Sequence, residues 1–135
     1  MALSITELDL ATPSSHGFEF EYIPEATGEP SGVFITVVGT HSEQVKCWLR
    51  KSINQARMLE AVNVKKGKEV ARTIEDDERF AIESAAIRIV GWRNISDEFN
   101  FKNACLLCEV NPDIRAQVIK ESDNLGNFLP SKKKP

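Results

Sequence analysis

The chain has 135 residues, a formal charge of −3 and a pI near 5.5, with 41% hydrophobic and 27% charged residues. That describes one globular domain with a sizeable core. It argues against a generic nucleic-acid binder, which needs a basic footprint, and no apolar run approaches the roughly 20 residues that cross a bilayer.

Residues 1–16 are polar and mixed, with neither a basic start nor a long apolar stretch. They read as a flexible N-terminal arm rather than a secretory signal, so the cytoplasm is the expected location. In Gly17–Ile23 the aromatics Phe18, Phe20 and Tyr22 alternate with Glu19 and Glu21, the pattern of a half-buried strand. Turn formers fill Pro24–Gly32, and the β-branched run Val33–Val38 predicts a second strand, giving an antiparallel hairpin. A lone hairpin is marginal in water and needs something packed on its aromatic face.

Thr40 with Glu43 three residues later has the form of a capping box. Val45, Leu49, Ile53, Ala56, Leu59 and Val62 then recur at spacings of three and four, which predicts a long amphipathic helix over 41–63. Lys46, Arg50, Lys51 and Arg57 take its other side, and Trp48 widens the apolar stripe. Gly67-Lys68 lacks the glycine and the Ser/Thr that a phosphate loop requires, so it reads as a solvated basic bend. Thr73 is placed to cap the next helix, and Glu75-Asp76-Asp77-Glu78 suits the positive end of its dipole. From Phe80 to Val90 that helix is apolar nearly all round, which predicts a central position, with Gly91 as its terminator and Trp92 folding back on its end. Asn100 is a cap for a short helix from Phe101 to about Glu109. Asn111-Pro112 starts the last helix, expected to run to Gly126, with Phe128 and Leu129 docked behind it. Residues 130–135 read as a disordered basic tail. The expected architecture is a mainly helical α+β domain over 17–129, its N-terminal antiparallel β-hairpin packed with three to four α-helices.

Chemistry is sparse. Cys105-Leu-Leu-Cys108 has metal or redox spacing, yet no second ligand pair accompanies it, and two core-facing thiols are the plainer reading. His16 and His41 have no partner nucleophile by spacing, and Asn94-Ile95-Ser96 is treated as a chance sequon. No catalytic, cofactor or metal residue is assigned.

The order of features is more telling than any one of them. An arm precedes Ile23-Pro24-Glu25-Ala26-Thr27-Gly28-Glu29-Pro30-Ser31-Gly32 between two strands. Then come a long charged helix and an apolar helix running into Gly91-Trp92. Phe99-Asn100, Asn103-Ala104-Cys105-Leu106-Leu107, Asn111-Pro112 and a closing Asn127-Phe128-Leu129 follow. Over residues 17–129 this order resembles the tail assembly chaperones of long-tailed bacteriophages and prophages; Asn100 departs from the serine expected there but is also a good cap. The resemblance implies a non-enzymatic protein of the bacterial host cytoplasm that is missing from the mature virion. It would bind the very long, helical tape-measure protein and keep it soluble until the tail-tube protein polymerises around it. It also implies a longer product of ribosomal frameshifting that recruits tail-tube subunits, for which the Lys132-Lys133-Lys134 codons are a candidate slippery site. A groove for a client helix needs apolar walls and a charged rim. Trp48 and Leu49 on the long helix, and Trp92, Phe99, Phe101 and Phe128 around the aromatic corner, are the candidate contact residues. Many copies along one client would bring avidity, so a homo-oligomer is expected. The competing readings are a virion structural protein of the tail-completion or neck kind, and a small cysteine-dependent metal or redox protein.

Overall fold

A computed structural model describes residues 2–65 and 73–129. The basic bend at Gly67-Lys68 and the lysine tail lie outside those residues. The fold is α+β and mainly helical, as expected.

Strand β1, Phe18–Glu21, pairs antiparallel with β2, Phe34–Val37, with Phe18 opposite Val37 and Glu21 opposite Phe34. The alternation does what it predicts: Phe20, Ile35 and Val37 are buried, while Glu19 faces out and takes both guanidinium contacts of Arg93 at 2.8 and 3.0 Å. The loop between the strands turns at Gly28 (φ +68°) and Gly32 (φ +84°), backbone conformations that L side chains rarely adopt. Asp113 pins the loop from outside. Its carboxylate accepts from the Tyr22 hydroxyl and the Glu25 N–H, both at 3.0 Å.

A third strand corrects the sequence reading of Gly91. Ile89–Arg93 is not a helix end with a tryptophan folded back; it is β3, antiparallel to β2, so the sheet order is β1-β2-β3. Ile35 faces Trp92 and Thr36 faces Gly91, with a bulge between Thr36 and Val37. The reason is tertiary: β2 offers a free edge, and the β-branched pair Ile89-Val90 satisfies it better than another helical turn would. The Val38 N–H donates to the Arg88 carbonyl at 2.8 Å, which carries the chain from helix to strand without a loop.

Helices fill the rest. A short helix α1, Ala11–Ser14, lies in the expected arm; Ser14 is buried, and its carbonyl accepts the Gly39 N–H at 2.7 Å. Helix α2 spans Glu43–Lys65. Its start differs from the predicted capping box. Ser42 is the buried cap, its carbonyl accepting the Lys46 N–H and its hydroxyl facing the Val45 N–H at 3.4 Å. The Thr40 hydroxyl is taken instead by Asp123. Helix α3, Ile74–Arg88, is capped reciprocally by Thr73 and Asp76. Helix α4, Phe101–Val110, starts at Asn100, whose side chain accepts from the Asn103 N–H at 2.8 Å. Helix α5, Pro112–Asp123, starts at Asn111 and stops before Gly126, giving way to a 3-10 turn at Leu125–Asn127.

The core lies where α3, α4 and α5 meet the inner face of the sheet. Ile82, Ala85, Ala86 and Ile89 pack with Ala104, Cys108, Ile114 and Val118. Ala85 and Ala86 leave room for close helix approach. A polar knot closes one end. Arg88 is buried and donates to the Ser122 hydroxyl at 3.0 Å and to the Ser84 carbonyl and hydroxyl; the Ser122 hydroxyl in turn donates to the Val38 carbonyl at 2.8 Å. Burial pulls the Arg88 guanidinium below the usual arginine value, and nearby Asp123 opposes that shift.

Candidate partner-binding surface

Among the described residues, helix α2 is anchored near its start. Val45 is buried, the Gln44 amide donates to the Ile87 carbonyl at 2.8 Å, and the Trp48 ring lies 5.1 Å from that of Phe80. Up to Val62, Ser52 is the last half-buried position. From Ile53 to Val62 every residue is exposed. The stripe that reads as core in the sequence therefore leaves the body of the protein: Ile53 is 42% exposed, Leu59 61% and Val62 45%. Lys46, Arg50 and Arg57, at spacings of four and seven, form a ridge along one flank of this stripe. Arg50 reaches Glu43 at 3.4 Å, both side chains well exposed.

A second apolar surface surrounds β3 and α4. The Trp92 and Phe99 rings meet edge to face at 5.1 Å, and the Trp92 indole N–H donates to the Asp97 carbonyl at 3.0 Å. The intervening loop is further held by Asn94, whose amide donates to the Gly32 carbonyl, and by Asn103, whose amide donates to the Glu98 carbonyl. A cleft of about 180 Å³ runs between Trp92, Ile95, Leu106 and Val110. Another of about 370 Å³ is lined by Ile89, Val90, Phe99 and Phe101, with Gln44 of α2 on its wall. The base of α2 and the aromatic corner are thus neighbours.

The six sequence candidates divide accordingly. Trp92, Phe99 and Phe101 come together at the corner, and Leu49 stands exposed on the α2 stripe. Trp48 is half-buried against Phe80, where α2 meets the body. Phe128 is a correction: it is buried and packs edge-on against Phe18 at 6.1 Å, sealing the open end of the sheet rather than meeting a partner. Sequence reasoning did not single out Leu106 and Val110, which are 53% and 67% exposed. The available signal was that α4 carries more apolar residues than one buried face needs.

The thiols divide in the same way. Cys105 and Cys108 are buried and Cys47 is exposed. Burial raises the Cys105 thiol and pushes Cys108 up to about 12, the opposite of what a reactive or ligating thiolate needs. Among the described residues no group of three or more His, Cys, Asp or Glu side chains is placed to hold a metal ion. No helix among them is long and apolar enough to cross a membrane. In comparison with known proteins, no family model matches the chain, and no curated protein or solved structure matches it.

Proposed function

We propose that this protein is a tail assembly chaperone of a long-tailed bacteriophage or prophage. It holds the tape-measure protein soluble in the bacterial host cytoplasm until the tail tube grows around it, and is left out of the mature virion. It acts by binding, with no bond made or broken. The observation that carries the reading is the α2 stripe, an apolar helix face with a cationic flank that projects beyond the protein's own core. A client rich in amphipathic helices needs such a face. The ordered set of sequence features from the hairpin loop to Asn127-Phe128 supports the same assignment. Several copies along one long client would act by avidity, so each contact is weak. The longer frameshifted product and its tail-tube partner belong to this proposal.

Co-expression tests it. The tape-measure protein should move from the insoluble to the soluble fraction when this chain is present, and the two should co-purify. Unchanged client solubility would contradict the proposal. Detection of the chain in purified virions by mass spectrometry would favour a structural tail protein instead.

A further inference from the structure

We infer that the outer half of α2 seats one amphipathic partner helix whose flanking residues are carboxylates, so that charge as well as apolar burial selects the client. This rests on the chaperone reading only in taking the partner to be helical.

Leu49, Ile53, Ala56 and Leu59 follow one another at spacings of four, three and three, and so lie along one face. From Leu49 to Leu59 that face is about 15 Å long, enough for nearly three turns of a partner. None of its residues beyond Ser52 is covered by the protein's own body. Lys46, Arg50 and Arg57 border it on one side, with Glu43 beside them in the first turn and Glu60 on the stripe itself, seven residues after Ile53. A partner matched to this flank carries acids opposite Lys46, Arg50 and Arg57. The Arg50–Glu43 contact does not compete strongly, because an exposed pair at 3.4 Å is weakly held.

The same charges do not favour a second copy of α2 as occupant. When two identical helices pack antiparallel, like flanks meet across the seam, as e meets e and g meets g in a coiled coil. With the Leu49–Leu59 faces in register, Arg50 would then face the copy's Arg57, and only Lys46 would come near an acid, Glu60. In a parallel pair the ridge would face the opposite flank, which carries no acid. Neither arrangement neutralises the whole ridge, whereas an acidic partner does.

The test uses the full chain and three synthetic amphipathic peptides of about 20 residues. All share leucines at heptad a and d positions and differ only in flanks of Glu, Gln or Lys. Fluorescence anisotropy should show the Glu peptide binding about tenfold more tightly than the Lys peptide at low salt, with the gap narrowing as salt rises. K46E/R50E/R57E should reverse the order of preference, and I53E/L59E should abolish Glu-peptide binding. Circular dichroism should show both variants folded. Equal binding of the three peptides would overturn the inference, as would unchanged binding to I53E/L59E. So would sedimentation showing a dimer of the unmodified chain that I53E/L59E dissociates, because the stripe would then belong to a second copy. Failure of the two proposals is distinguishable. If I53E/L59E still keeps the tape-measure protein soluble, this inference falls and the chaperone reading stands. If the Glu peptide binds as described but the tape-measure protein stays insoluble, the surface stands and the chaperone reading falls.

Discussion

Helices α2 and α3 carry much the same share of apolar residues and meet opposite fates. In α3 the second half is enclosed by α4, α5 and the sheet, with Ala85 and Ala86 shielded almost completely. In α2 only the first two turns are enclosed, and its more regular stripe projects outward. Periodicity shows which face of a helix is apolar. Whether that face is filled depends on what the rest of the chain can bring to it, and here α4, α5 and the sheet are already committed to α3. Large apolar faces left uncovered are what mark interaction surfaces in soluble proteins.

The contrast can be broken by mutation, most strongly at the core. Ile82→Ala in α3 should cost about 2–5 kcal/mol in urea denaturation. Leu59→Ala in α2 should stay within about 0.5 kcal/mol. Equal losses would mean that α2 is covered in solution. Next is the polar knot that joins α3 to α5. Ser122→Ala should cost about 1–3 kcal/mol, because it leaves the buried Arg88 Nε without its acceptor.

Acid should act more locally. The Glu25 N–H, followed by the Tyr22 hydroxyl, holds the Asp113 carboxyl below the usual aspartate value. A depressed folded-state pKa gives a stabilising contribution that is fully present above the unfolded value of about 4 and is lost as pH falls through the lower folded value. The Glu25 amide resonance should therefore keep its hydrogen-bonded position until the pH falls below about 4. Smallest in energetic terms is the thiol pattern. A thiol reagent should modify Cys47 rapidly and reach Cys105 and Cys108 only on unfolding.

Much of the fold was legible because its signals are local. Thr73, Asn100 and Asn111-Pro112 mark helix starts through side chains that bond the first turn, and the structure uses each of them this way. The alternation around Phe18 and Phe20 gave the hairpin for the same reason. Strand β3 was not legible. Ile89-Val90 continues the apolar run of α3, Gly91 looks like a stop, and only pairing with β2, more than fifty residues earlier, makes the segment extended. Thr40 misled in the same way, since its hydroxyl is taken by Asp123 from the far end of the chain. At the surface, the meeting of Trp92 with Phe99 was visible as clustered aromatics, but the burial of Phe128 depended on Phe18 across the fold. The exposure of Ile53 and Leu59 could not be read at all, because an apolar stripe awaiting a partner and one already packed have the same spacing.

The most direct measurement pairs stability with client solubility in one variant. I53E/L59E should unfold at the same temperature as the unmodified chain, within a degree or two on the scale of a surface change, and should fail to keep the co-expressed tape-measure protein soluble. A large loss of stability would show that the stripe belongs to the protein's own core, and undiminished client solubility would show that the outer half of α2 is not where the client binds.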